Sequence, residues 1–219
     1  MTTLNAAGPA QPIKLYHFAL SGHSHRVQLF LSLLNLPTEI ILVDLKQGEQ
    51  KTPAFLAMNR FGQVPVIQDG DVTLADSNAI LVYLARRYDP SGQWLPRDPV
   101  GEAEVQRWLT AAAGLLAFGP SHARVGVLFK RPIEARAYTL AADLFKVMDA
   151  QLASQRYLAS TAAPTIADVA LYTYTAHAPE GGIALTPYPH VQRWLADIEA
   201  LPGFVGMPKS PVAPAVGAA

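Results

Sequence analysis

Cysteine is absent from this 219-residue chain, which excludes disulfides, thiolate zinc sites and a protein thiol nucleophile. Any sulfur chemistry must therefore arrive on a substrate. Charge is also scarce: 16% of residues are charged, and 17 Lys plus Arg balance 17 Asp plus Glu with no long run of one sign. That balance removes the electrostatic basis for binding nucleic acid or an anionic membrane. No stretch approaches the ~18 uninterrupted apolar residues of a membrane span. The opening MTTLNAAGPAQP lacks the basic start and apolar core of a secretory signal, so residues 1–12 are expected to be a flexible arm on a cytoplasmic protein.

What the chain does have is apolar content, 50% hydrophobic by composition, and enough length for one large domain or two modest ones. Residues 13–18 (IKLYHF) predict a strand, and 24–35 (SHRVQLFLSLLN) carry apolar positions at helical spacing up to Pro37. Residues 39–43 (EIILV) predict a second, buried strand, parallel to the first. TPAFLAMN (52–59) reads as a short helix with Thr52 as N-cap and Pro53 at its first position. VPVI and VTL flank Asp69-Gly70 as a hairpin, and ADSNAILVYLARRY follows as a helix.

Residues 13–88 therefore spell β-α-β-α-β-β-α, and DPSGQWLPRDP (89–99) has linker composition. Beyond it the strand signal disappears, and helical patterns run through about 100–118, 133–154, 165–177 and 189–200. The expectation is an α/β domain at 13–88 and an all-helical bundle at 100–207, with a loose or draped tail at 208–219.

One residue conflicts with its neighbours. Pro65 stands in VPVI, although proline lacks the N–H that a strand ladder needs. Two readings are open. Either Pro65 is an ordinary trans proline on an edge strand, or a cis Val64–Pro65 bond turns the Val64 N–H and C=O away from the sheet, toward an extended peptide-like ligand.

The ordered motifs KLYHFALSGHSHRVQLFLSLL, VDLKQGEQKTPAFL and NRFGQVPVI…ADSNAILVYLARRY, with TIADVALYTYTAH in the helical half, resemble the soluble glutathione transferases. The resemblance is to their serine-type, bacterial-like members and covers nearly all of the chain except its termini. It implies a thioredoxin-like N-terminal domain, an all-α C-terminal domain, a homodimer, and glutathione as co-substrate with no metal. The implied reaction is attack of the activated thiol on a small hydrophobic electrophile. Glutathione-dependent reduction of disulfides or peroxides, and a non-catalytic binding module, are the alternatives, since fold alone does not decide function.

Glutathione carries two carboxylates, an ammonium group and a thiol. The resemblance assigns the γ-glutamyl carboxylate to Ser77, at the start of a helix whose free N–H groups favour an anion, and the ammonium to Asp76. Lys51 takes the glycyl carboxylate, with Gln50 standing where some relatives have histidine. Gln63, Val64 and Pro65 meet the peptide backbone. Aligning His25-Arg26-Val27 with the family's Arg-Val step puts Ser21 opposite the thiol, while Ser24 becomes a cap or first-turn residue.

A free thiol titrates near 8.5. Lowering it by ~2 units takes ~2.7 kcal/mol, which a hydroxyl donor (~1.5–3 kcal/mol) and a helix N-terminus (~0.3–1 kcal/mol) together supply. Ser21 is thus expected to be a hydrogen-bond donor rather than a nucleophile or base.

Other residues receive plainer readings. Tyr16 falls out of phase with the tyrosine of other classes and is expected in the core. His17, His23 and His25 do not match a metal-ligand spacing; they read as packing or solvated side chains, with His23 as a pocket wall. Arg26 is expected in a helix-surface salt bridge. Thr165 and Asp168 fit a capping box at the start of a buried helix. Trp108, Phe118 and Tyr174 are candidate walls for the electrophile, as are the small run Ala111 to Gly114 and His177.

Overall fold

The structure, a computed structural model, describes residues 8–159 and 162–216. Most of the expected N-terminal arm and the end of the tail lie outside the described residues. The chain divides into two compact units, one running to Leu95 and including Leu201–Pro208, the other covering Pro96–Ala200 with the chain from Lys209.

The first unit holds β1 (Ile13–His17), α1 (Gly22–Leu33), β2 (Thr38–Leu42), α2 (Pro53–Met58), β3 (Val66–Asp69), β4 (Val72–Ala75) and α3 (Ser77–Tyr88). The four strands form one sheet in the order β2-β1-β3-β4. β1 is parallel to β2 and antiparallel to β3, with Leu15 opposite Ile40 and Ile67, and β3 pairs β4 around Asp69 and Gly70. This is the mixed sheet of a thioredoxin-like domain.

Strand alternation divides β1 between two faces. Ile13, Leu15 and His17 are buried, whereas Tyr16 points the other way, into a cluster with Val43, Phe55 and Val66. There it meets Phe55 edge-on at 6.3 Å, and its hydroxyl donates to Gln68 Oε1 at 3.0 Å. β2 differs from the expectation of a buried strand. It lies at the edge of the sheet with Ile40 40% and Leu42 68% exposed, because the sheet has no further strand on that side to cover it.

α1 begins two residues earlier than the periodicity predicts, since Ser21 supplies the cap and its side chain accepts from the Ser24 N–H. The run 201–208 is fastened to this unit through α1: His25 Nε2 lies 2.9 Å from the Val205 carbonyl, and Ser32 Oγ donates to the Gly203 carbonyl at 2.7 Å.

The second unit contains α4 (Pro99–Ala111), α5 (His122–Phe129), α6 (Ala135–Ser154), α7 (Ile166–Ala176) and α8 (Pro189–Glu199). Between α4 and α5 the helix does not end at Gly119-Pro120, as the sequence suggests. It continues through Ala112–Ser121 in π-type turns with Pro120 inside. The wider turn makes room for a ring that would clash with a tight α-turn. Gly119 keeps this run close to α6, because a Cβ there would lie 2.9 Å from the Ala141 nitrogen.

α7 is buried from Ile166 to Thr175 and begins with the expected capping box of Thr165 and Asp168. Asp168 does more than cap. Its carboxylate accepts from the N–H groups of Leu158 and Thr165 at 2.9 and 2.8 Å and from Trp194 Nε1 of α8 at 2.9 Å. Burial pushes this carboxyl up, against the bonds that favour its ionised form.

A second buried group closes the unit. Glu180 accepts from Arg124 Nε at 2.6 Å and from the Ser210 N–H at 3.0 Å. Its burial would raise its pKa, but the bonds from Ser210, Arg124 and His177 outweigh that and hold it at about 2. The chain from Lys209 is draped by this anchor and by Ala213 N–H on the Pro179 carbonyl at 3.2 Å.

Asp168→Ala strands the N–H groups of Leu158, Thr165 and Trp194 in a dry interior, where each unsatisfied donor costs about 1–3 kcal/mol. Urea unfolding of this variant is expected to show a loss of at least about 3 kcal/mol. A loss below about 1 kcal/mol would mean that Asp168 does not organise the bundle.

Candidate active site

In the first unit a cavity of about 730 Å³ opens where the N-terminus of α1, the start of α3 and the loop before β3 converge. Ser21, Lys51, Gln63, Val64, Pro65, Asp76, Ser77 and His23 all line it. Residues 56 positions apart in the chain thus share one wall, because β3 and β4 return the chain beside β1.

Ser21 occupies the N-cap of α1. Its Oγ accepts from the Ser24 N–H at 3.2 Å, so the backbone fills one acceptor position and leaves the hydroxyl hydrogen to be donated. Ser24 is fully buried and its Oγ lies 3.4 Å from the Phe18 N–H; it is a first-turn residue that does not face the cavity.

Val64–Pro65 is cis. The ladder between β1 and β3 ends at the Tyr16–Val66 pair, so the backbone of Val64 lies outside it, while its side chain packs against the cluster around Val43 and Phe55. The loop leading there is shaped by Asn59, whose Nδ2 donates to the Gln63 carbonyl at 2.8 Å and whose Oδ1 accepts from the Phe61 N–H at 3.1 Å. Lys51 folds over it, donating to the Phe61 carbonyl at 3.2 Å. Gly62, at φ +59, permits this: a Cβ would sit 2.7 Å from Lys51 Nζ. Gln50 lines the same wall, with its Oε1 buried and lacking a hydrogen-bond partner.

At the start of α3, Asp76 has φ 71, a left-handed backbone that a non-glycine residue adopts at a cost of ~1–3 kcal/mol. Its carboxylate accepts from the N–H groups of Asn78 and Ala79, both at 2.9 Å, and its carbonyl from Ile80. The cap does not take the Ser77 N–H, and Ser77 lines the cavity.

Arg26 departs from its expected place in a surface salt bridge. It is 1% exposed, and its Nη1 donates to Ser77 Oγ at 2.9 Å and to Asn78 Oδ1 at 2.7 Å. Ser77 Oγ also lies 3.4 Å from His23 Nδ1. Burial first, and the Arg26 charge second, lower the His23 pKa to about 3. His23 is therefore a neutral pocket wall at ordinary pH.

The sequence reading put Arg26 at the helix surface and missed Asn59 and Phe61 as parts of this site. A signal existed for the first: Arg26 lies four residues before Phe30, on the stripe that helical spacing buries. Asn59 and Phe61 belong to a loop, where no period marks which side chain turns inward. His17 and His25 are buried, the packing alternative of their expected reading.

The proposed electrophile walls are not brought together. Trp108 and Tyr174 are each 3% exposed and belong to the core of the helical unit, because α4 and α7 bury the faces that carry them. His177 is engaged with Glu180 at 2.5 Å. Phe118 does line a cavity, a mainly apolar space of about 670 Å³ within the helical unit, together with Ala111, Gly114, Leu115, Ala137 and Leu140. Among the described residues, no group of three His, Cys, Asp or Glu could hold a metal ion, and no helix is long and apolar enough to cross a membrane.

The family model "Glutathione S-transferase, N-terminal domain" matches residues 11–86, and its C-terminal counterpart matches 107–202. Glutathione S-transferase 3 of Zea mays is 35% identical over 206 residues, covering 88% of this chain and 91% of the maize protein. Glutathione S-transferase GstB of Escherichia coli K12 is 30% identical over 190 residues, covering 83% and 90%. A crystal structure of a glutathione S-transferase from Pseudomonas fluorescens superimposes with a TM-score of 0.83 at 36% identity, covering 89% of this chain and 98% of that one. With both domains matched in order and a cleft at the start of α1 and α3, the chain belongs to the glutathione transferase family.

Proposed function

We propose that this glutathione transferase activates its co-substrate through the hydroxyl of Ser21. The observation that carries the proposal is the bond from the Ser24 N–H to Ser21 Oγ at 3.2 Å, on a side chain that lines the cavity. An oxygen already accepting from the backbone is set to donate, and a thiolate sulfur is the acceptor that a donor at a helix N-terminus favours. The positive end of the α1 dipole adds to the same effect. No base is needed: solvent takes the proton once the thiol is acidic enough.

The rest of glutathione fits the remaining walls. The γ-glutamyl carboxylate goes to the Ser77 N–H and hydroxyl, with Asp76 beside the ammonium group. Val64 offers main-chain groups beyond the ladder to the cysteinyl unit, with Gln63 adjacent. Lys51 holds the glycyl carboxylate, and Gln50 reaches it with its amide turned so that the NH2 faces inward. The electrophile is a small apolar molecule. Attack forms a carbon–sulfur bond and expels the leaving group. We also propose a homodimer in the cytoplasm, the compartment where glutathione is kept reduced; Phe61, 81% exposed, offers apolar surface to a second copy.

Ser21→Ala is expected to lower kcat with a chloronitroaromatic substrate by about 10-fold to 100-fold, the value of one charge-assisted bond. The KM for glutathione should stay within a few fold, and the bound thiol should titrate nearer 8.5. An unchanged rate with unchanged thiol ionisation would remove Ser21 from the chemistry. The pH–rate profile from about 5 to 9 should show the thiol ionisation alone, because His23 is neutral above about pH 3. A second limb that disappears in His23→Gln would contradict this. Light scattering at micromolar concentration should give twice the chain mass; a monomer would refute the dimer. Turnover of a hydroxyethyl disulfide faster than of the chloronitroaromatic would favour reduction over conjugation.

A further inference from the structure

We propose that Arg26 is a positioning residue for the γ-glutamyl end of glutathione, acting through Ser77, whose hydroxyl hydrogen it turns toward the ligand. The inference rests on the ligand assignment above and concerns a residue that the ligand itself does not touch.

The guanidinium is 1% exposed and sits on α1 five residues after Ser21. Two of its hydrogen bonds cross to the first turn of α3, to Ser77 Oγ at 2.9 Å and Asn78 Oδ1 at 2.7 Å. Guanidinium groups only donate, whereas a serine hydroxyl has one hydrogen to give and two acceptor positions. With Arg26 on an acceptor position, the Ser77 hydrogen must go elsewhere. His23 Nδ1 lies within reach but at 3.4 Å, long for an O–H donor. The hydrogen is therefore loosely held and readily redirected to a carboxylate.

Three consequences follow from that arrangement. Ser77 offers two donors to the cavity, its hydroxyl and its N–H, which suits the two oxygens of a carboxylate. The cationic partner polarises the hydroxyl and strengthens the bond it gives. The same bridge ties the helix that carries Ser21 to the helix that carries the carboxylate site, so the cysteinyl and γ-glutamyl units of the peptide are held at a set spacing.

The test compares two ligands, S-hexylglutathione and S-hexyl-cysteinylglycine; the second lacks the γ-glutamyl group. Binding is measured by calorimetry for wild type, Arg26→Lys, Ser77→Ala and the double variant, each checked for a cooperative thermal transition. Arg26→Lys is expected to weaken S-hexylglutathione about 10-fold or more and to leave S-hexyl-cysteinylglycine within twofold. The double variant should be no weaker than Ser77→Ala alone, because Arg26 acts through that hydroxyl.

Equal losses for both ligands would show a merely structural role, and no loss for either would also overturn the proposal. Should Arg26→Lys fail to fold, the wild-type Arg26 Nε–H resonance gives the answer. It should shift with S-hexylglutathione and stay in place with S-hexyl-cysteinylglycine, and a shift with both or neither overturns the proposal. Wild type that binds no glutathione derivative would sink the ligand assignment as well. Wild-type binding with an indifferent Arg26→Lys overturns the positioning role alone.

Discussion

The N–H groups in the first turn of an α-helix have no partner within the helix, and the candidate active site of this transferase is lined by two such turns. At α1 the vacancy is partly filled by Ser21, which takes the Ser24 N–H and keeps a hydrogen for the cavity. At α3 Asp76 takes the N–H groups of Asn78 and Ala79, leaving that of Ser77. In the function proposed above, one start offers a hydroxyl to sulfur and the other offers donors to a carboxylate. Both dipoles present their positive ends to the same space, which suits a ligand that becomes a thiolate at one point and is an anion at another.

Everything else in the first unit serves to bring these two turns together. The sheet order β2-β1-β3-β4 places the C-terminal ends of β1 and β4 at the same edge of the sheet, on either side of the start of β3, and each leads into one of the helices. Arg26 fastens the helices to each other from beneath, at the cost of burying a charge. Asn59 and Gly62 shape the loop that brings Lys51, Gln63 and Val64 to the opposite wall. The strained backbone of Asp76 belongs to this economy: its φ of 71 aims the carboxylate into its own helix, and the turn holds it there.

The helical unit is organised on a different principle, the satisfaction of buried carboxylates. Asp168 gathers the chain before α7, the α7 cap and Trp194 of α8. Glu180 gathers Arg124 of α5 and the chain at Ser210. Each is tolerable inside only because several donors meet it, and each therefore links segments far apart in the chain.

Much of this was legible before any coordinates. Periodicity and caps located the strands and helices of the first unit, because those signals are local: Thr52 before Pro53, Asp69-Gly70 in the hairpin, Thr165 with Asp168. Pro65 in a strand-like run marked the loop where the ladder ends, since a missing N–H is written in the residue itself. Period alone did not reveal that β2 is an exposed edge, that helix continues across Pro120, or that Trp108 and Tyr174 are core while Phe118 lines a cavity. Those outcomes depend on which neighbours cover a face. The amino-acid order by itself determined the elements, the helix starts and the identity of the donors; only the tertiary structure decided that Arg26 lies buried against Ser77, because a hydrogen bond across 51 positions exists only once the sheet has brought two helix starts within 3 Å of a shared side chain.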